Sequence, residues 1–404
     1  GPAVITVENG RAYIAFRTSH TFLSTILLSY DVTDRKHPRL IGRLDLTETI
    51  PNRFAKVHQT IVAVDSLERT SLVDVSDPSL PHRIETAVDL PNGHDVVAIG
   101  DLVIWSGTGS GQSVQAFDLS DPRTPLLRAT IPLPGLASWM AADGSLLYIY
   151  VRWDRSSGYP GGVEIYDLSN PDEPRHLGGI PVQPQDFVFD DLVAGDGLLL
   201  LVDSVASEII VVDISDPASA AEVVRVPIQI PRFAYADGTL FLWNFRDAQL
   251  FVDVISLRDP AQPRLLSSVP LSAPALELAV DDGLLFAALN TGLVVFDVSL
   301  PAAPRELGAE ASGFAGGRYL AKFLVDGPNL YVGRGTSGMM IYDVSSCSAC
   351  PVDLDGDGEL TVLDFLVFQN AFDAGDQLAD VDDDGQLTIF DFLVFQSLFQ
   401  VGCD

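Results

Sequence analysis

Eight times between Asp31 and Asp343 the chain repeats one pattern: an apolar strand ending in aspartate, then an apolar residue and a turn. The marker aspartates are Asp31, Asp74, Asp118, Asp167, Asp213, Asp253, Asp297 and Asp343, at spacings of 40 to 49 residues. Upstream of most markers stand two further apolar strands joined by a tight turn. Asn9-Gly10, Asp143-Gly144, Asp237-Gly238, Asp282-Gly283 and Asp326-Gly327 supply that turn, because type I′ hairpins need positive φ. Downstream of most comes Pro-x-x-Pro and a fourth short strand, as in HPRLIG, EPRHLG and APRELG. Four short strands in every ~45 residues, repeated along the chain, predict an all-β propeller.

The pattern contains eight sets of the first three strands and seven clear fourth strands. The expectation is eight blades, the last without its own outer strand; seven blades is the alternative. Inner strands carry Val, Ile, Leu and Ala on both sides, as packing between blades requires. The marker Asp is expected to accept hydrogen bonds from turn amides. The recurring apolar-x-Asp-Val-Ser-x-Pro motif resembles the LVIVD-repeat propellers of bacteria over roughly residues 3–346. It departs from that pattern at Ile255-Ser256-Leu257, where an insertion is expected to lengthen the turn.

A different repeat ends the chain. DLDGDGELTVLD (353–364) and DVDDDGQLTIFD (380–391) each place carboxylates at loop positions 1, 3, 5 and 12, Gly at 6 and Thr at 9. This spacing suits a hard cation that takes six to eight oxygens, with Gly permitting the sharp turn. Each copy leads into nearly the same helix, FLVFQNAF or FLVFQSLF. Residues 351–404 hold 13 acidic and no basic groups, whereas the remainder holds 42 acidic against 24 basic, for a formal charge of −31. That balance argues against nucleic acid or an anionic membrane as partner. No run of 18 apolar residues is present, so no spanning helix is expected.

Cys347, Cys350 and Cys403 border the acidic segment. A bridge across it would close a loop of ~50 residues and add roughly 4 kcal/mol on the chain-entropy account. Cys350–Cys403 is favoured and Cys347–Cys403 follows. A Cys347–Cys350 pair or free thiols stay open, while zinc lacks a nearby His. A disulfide implies an oxidising compartment, so the chain is expected to be secreted or at the cell surface. The Gly1-Pro2 start reads as a protease scar, in keeping with a trimmed leader.

Two loop–helix halves with Asp at position 12 resemble a dockerin, over residues 351–403; the block 347–404 is read as this domain and 1–346 as the propeller. The resemblance implies two calcium ions. The first would be held by Asp353, Asp355, Asp357, the Glu359 carbonyl, Thr361 and Asp364. The second would be held by Asp380, Asp382, Asp384, the Gln386 carbonyl, Thr388 and Asp391. It further implies a cohesin-like protein partner docked at loop positions 10 and 11: Val362, Leu363, Ile389 and Phe390. Many dockerins carry Ser or Thr there, so the partner is expected to differ.

On a propeller, the loops leading into the first strands and those joining strands two and three share one face. That face is expected to gather Arg53, His94, Asp95, Trp139, Asp186, Arg232, Phe233, Arg318 and Tyr319. The long loop 152–160 would add Trp153 and Tyr159, rings able to stack on a glycan or peptide. His94-Asp95 also has the chemistry of a base or metal ligand, though a lone His is more often structural. There is no Gly-x-Ser-x-Gly elbow, no phosphate-binding glycine loop and no Cys beside a catalytic His, so no catalytic residue is assigned. The reading is a non-catalytic, monomeric recognition or scaffolding propeller with a calcium-dependent docking tail. The alternative is an extracellular carbohydrate-active enzyme, a lyase or hydrolase with its site in the propeller channel.

Overall fold

The structure is a computed structural model. It describes residues 4–8, 11–17, 24–33, 39–47, 51–65, 70–87, 90, 93–107, 112–152, 158–181, 189–203, 205–229, 232–310, 322–326, 329–333, 339–344, 350–355, 359–382 and 384–402. Among the described residues, thirty-one strands form eight antiparallel sheets, the blades of an eight-bladed β-propeller fold, and two α-helices follow. Seven sheets have four strands and the last, β29 (Lys322–Asp326), β30 (Asn329–Gly333) and β31 (Met339–Asp343), has three. The expected eighth blade of three strands is thus present among the described residues.

Two compact units divide the chain. The first holds blades one to five, from β1 (Val4–Glu8) to β20 (Ala221–Pro227). Its apolar clusters lie between successive blades. Ile104, Ala116 and Ile131 of blade three meet Met140, Leu147 and Ile149 of blade four. Tyr148, Tyr150 and Ile165 of blade four meet Leu199, Leu201 and Ile210 of blade five. A middle strand therefore buries both faces: every residue of β18 (Leu198–Asp203) is buried. Near-continuous apolar runs replace the alternation of a half-exposed strand for this reason.

The second unit contains blade six, blade seven and residues 342–404. Blade six is β21 (Phe233–Ala236), β22 (Thr239–Arg246), β23 (Gln249–Ser256) and β24 (Arg264–Leu271). Blade seven is β25 (Ala275–Asp281), β26 (Leu284–Leu289), β27 (Gly292–Asp297) and β28 (Arg305–Glu310). Phe241, Trp243 and Val254 of blade six pack with Leu278, Leu285 and Phe296 of blade seven. The tail folds as α1 (Val362–Ala374) and α2 (Ile389–Val401) around Val352, Phe368, Ala371, Ala379 and Phe395, with Phe368 stacked on Phe395 at 4.5 Å.

The turns follow their chemistry with one shift. Asp237-Gly238 and Asp282-Gly283 have φ of 51°/72° and 47°/72°, as type I′ requires. In the first hairpin turn of blade four only Gly144 has positive φ, and Asp143 pairs with Leu146 in the ladder, so the turn is centred on Gly144-Ser145 rather than Asp143-Gly144. Asn9-Gly10 and Gly327 lie outside the described residues.

The marker position in blade six also needs correction. Asp297 pairs with Leu284 and Arg305, and the residue in the same register of blade six is Ser256, paired with Thr239 and Arg264. A ladder shift falls just before each of them, at Val295/Phe296 and Val254/Ile255. The amide after each bonds the hairpin turn beside it, Val298 to the Gly283 carbonyl and Leu257 to that of Gly238. So there is no insertion. Asp253 lies three residues earlier inside β23, buried, where it accepts from Arg246, Asn244 and Ser268.

Candidate functional site

The marker carboxylates cap their turns. Asp31, Asp74, Asp118, Asp167, Asp213 and Asp297 each accept from the amide two residues on, at 2.8–3.1 Å. Hydrogen bonds from the Thr33 hydroxyl and amide draw Asp31 down to about 2, and those from Ser120, Ser169 and Ser215 lower Asp118, Asp167 and Asp213. These are structural groups, engaged first by their own turns, and Asp297 also accepts the Cys350 amide at 2.9 Å.

The residues expected to face a ligand divide. Asp95 is 2% exposed, with its carboxylate taken by the Val96 amide at 2.9 Å and the Met140 amide at 2.8 Å. It stitches blade three to blade four. Arg232 donates from Nε to the Leu276 carbonyl at 3.0 Å, joining blades six and seven. Trp139 is half-buried against the core between blades four and five. His94 and Arg53 lie in β9 (Gly93–Ile99) and β5 (Pro51–Val57), and Phe233 opens β21. Trp153, Asp186, Arg318 and Tyr319 lie outside the described residues.

Tyr159 belongs to a group that sequence reading missed. Its hydroxyl donates to Glu164 Oε1 at 2.8 Å, and His176 Nε2 meets Oε2 of the same carboxylate at 2.7 Å. Burial and the Glu164 contact push the Tyr159 phenol up. The signal was available: Glu164 sits three residues before its marker, at the place Ile210 and Val294 hold in other blades.

The acidic loops converge as a cation would require. Carboxylate oxygens of Asp353, Asp355 and Asp364 lie within 4.8 Å of one another, and so do those of Asp380, Asp382 and Asp384. Two oxygens each ~2.4 Å from a shared ion stand at most ~4.8 Å apart, so both sets fit a hard divalent cation. A cavity of about 200 Å³ lined by Asp297, Arg305, Cys350, Asp353 and Asp355 leaves room beside the first set. Burial and the neighbouring carboxylates raise Asp382.

The other loop positions double as helix caps. Asp364 and Asp391 are wholly buried. Asp364 accepts from Asp355 and Thr361 amides at 3.2 and 2.8 Å, and Asp391 from Val381 and Thr388 amides at 2.9 and 2.7 Å. Thr361 and Thr388 are N-caps, each accepting from the amide two residues on at 3.1 Å. Glu359 and Gln386 are described and Asp357 is not. Gly385, at position 6, has φ +83° and donates to Asp380 Oδ2 at 3.0 Å. Val362, Leu363, Ile389 and Phe390 are 67%, 52%, 62% and 63% exposed, so none fills the module's core. Cys350 is buried and disulfide-bonded; Cys347 and Cys403 lie outside the described residues.

Residues 204–227 and 274–309 match the LVIVD repeat. Comparison with curated proteins gives no match. Among solved structures, the chain is similar to the periplasmic gluconolactonase PpgL of Pseudomonas aeruginosa, at 14% identity and a TM-score of 0.51, over 67% of this chain and 85% of that one. It is also similar to Sqt1 of Saccharomyces cerevisiae, at 9% identity and a TM-score of 0.56, over 83% of this chain and 93% of that one. Likeness at such identities concerns the propeller fold alone.

Proposed function

We propose that the chain is a secreted or cell-surface recognition propeller, non-catalytic, whose acidic tail binds two calcium ions and docks a partner protein. The observation that carries this reading is the pairing, twice over, of a carboxylate cluster with an exposed apolar pair at the head of the following helix. Asp353, Asp355, Asp357, the Glu359 carbonyl, Thr361 and Asp364 would hold one ion. Asp380, Asp382, Asp384, the Gln386 carbonyl, Thr388 and Asp391 would hold the other. A bound ion supplies the positive charge that lets crowded carboxylates share one loop, so binding and folding are linked. Val362, Leu363, Ile389 and Phe390 form the partner face, since exposed apolar patches on a small module serve as interfaces. A Cys350–Cys403 disulfide closes the module in this reading, and the tail, 347–404, is a domain apart from the propeller, 1–346. Glycan or peptide would meet the propeller face to which the sequence assigns Trp139 and Trp153.

The test uses the full chain as bait on the secreted and surface proteins of its source. A partner captured with calcium, lost in chelator and lost in Asp355→Ala plus Asp382→Ala, supports the reading. Capture that ignores both chelator and substitution overturns it.

A further inference from the structure

Seven blades carry the same three-residue sequence, Asp, an apolar residue, then Ser or Thr. It reads Asp31-Val32-Thr33, Asp74-Val75-Ser76, Asp118-Leu119-Ser120, Asp167-Leu168-Ser169, Asp213-Ile214-Ser215, Asp297-Val298-Ser299 and Asp343-Val344-Ser345. In blade six it reads Ser256-Leu257-Arg258. Two exchanges, Asp for Ser and Ser for Arg, shift the turn's formal charge by two units toward positive. The Ser256 hydroxyl keeps half the marker's task, meeting the Arg258 amide at 3.5 Å. It has no second carboxylate oxygen to offer the arginine of the fourth strand.

That arginine has a fixed place. Arg39, Arg175, Arg264 and Arg305 each stand opposite the marker position in the ladder. In blades one and four it turns to its own blade: Arg39 to Asp31 at 3.5 Å and Arg175 to Asp167 at 3.1 Å. In blade six, Arg264 Nη2 donates to Asp380 Oδ2 at 3.1 Å, the first carboxylate of the second loop. Arg258 Nη1 donates to the Asp382 carbonyl at 2.5 Å. In blade seven, Arg305 spans Asp297 at 3.6 Å and Asp353, the first carboxylate of the first loop, at 2.5 Å. Asp297 also accepts the Cys350 amide at 2.9 Å. Gly385 lies so near Arg264 that a Cβ there would stand 2.5 Å from Nη1.

We propose that blades six and seven are the built dock for this chain's own acidic module. Arg258 and Arg264 receive the second loop and Arg305 the first. The exchange of Asp for Ser at 256 favours blade six for the second loop, because it leaves Arg264 no turn carboxylate to share, whereas Arg305 divides itself between Asp297 and Asp353. Charge complementarity fits this occupant, as residues 351–404 carry no basic group. The dock grips position 1 of each loop and leaves positions 10 and 11 exposed, so the partner face of the proposed function stays open. It does not depend on that partner or on the identity of the cation.

The test is hydrogen exchange of the full chain in calcium, read on amides 380–388. Ser256→Asp gives Arg264 the turn carboxylate that other blades have. It should speed exchange in the second loop about tenfold, and Arg264→Gln should match it. The double variant should add nothing further. Arg175→Gln, which loosens only blade four's own turn, should leave the loop unchanged. Unaltered protection of β21–β23 shows that blade six is intact; should Ser256→Asp disturb those strands, Arg264→Gln and Arg258→Gln decide. Second-loop exchange that equals wild type in these variants, or rises as much in Arg175→Gln, overturns the dock. Calcium-dependent capture of a partner would be untouched by that result, so the two proposals fail separately.

Discussion

Chelation of the full chain is expected to unfold α1 and α2 while leaving the blades folded. Each acidic cluster brings three carboxylates within 4.8 Å of one another. At that separation and an effective dielectric near 20, each pair repels by about 3.5 kcal/mol, or about 10 kcal/mol for three pairs. Asp355 and Asp384 reach solvent, so screening cuts this by about half, to about 5 kcal/mol per cluster. Arg264 and Arg305 return part of it. A tail of this size is expected to hold only about 3–8 kcal/mol of stability. Two clusters without metal, at about 10 kcal/mol together before the share of the arginines, therefore rival what the Phe368–Phe395 core supplies. The assay is hydrogen exchange of the intact protein with calcium and with chelator, metal removal being verified by elemental analysis. Amides of 362–374 and 389–401 should exchange at least 100-fold faster after removal, and those of β17 (Phe189–Gly195) to β19 (Glu208–Asp213) should not change. Helices that keep their protection within threefold after the metal is gone would refute the electrostatic reasoning.

Three further outcomes are expected. Asp95→Ala strands the Val96 and Met140 amides, which are buried beside it, and should cost about 2–5 kcal/mol in urea unfolding; a change under ~0.5 kcal/mol would show that the stitch between blades three and four is idle. Phe395→Ala removes a ring that is 2% exposed and stacked on Phe368, so it should cost the module about 3–5 kcal/mol and abolish helix protection even in calcium. Asp31 titrates near 2 when folded, and Asp118, Asp167 and Asp213 are also lowered. Lowered carboxylates stabilise above the unfolded value of about 3.9 and lose that contribution as pH falls through their folded values. The melting temperature should therefore hold above about pH 5 and drop between about pH 4 and 2, with Asp31→Asn shallower over that window; an equal slope in the variant would contradict the assignment.

The candidate site was legible to different depths for physical reasons. The metal loops use residues that are adjacent in sequence, so spacing alone brought Asp353, Asp355 and Asp364 into one cluster. The face residues come from different blades, and spacing says nothing about what each side chain meets. Asp95 and Arg232, read as ligand groups, are instead consumed by neighbouring backbone. Thr361 and Thr388, read as metal ligands, also cap helices, a role their place before an apolar helix signals as plainly. The Asp253 marker was misplaced because an aspartate three residues early mimics the motif, and only ladder pairing separates it from Ser256.

By itself the sequence determined the propeller class, the order of four strands within a blade, most of the hairpin turns and the two acidic loops, because each is a local pattern repeated at a regular interval, while the choice of eight blades over seven came from the sheets themselves. Tertiary structure alone decided that Arg264 and Arg305 meet Asp380 and Asp353, more than 100 and nearly 50 residues away. Pairing across such distances depends on where blades and tail converge in space. A single Asp-to-Ser exchange in one turn redirects an arginine only once its neighbours are in place.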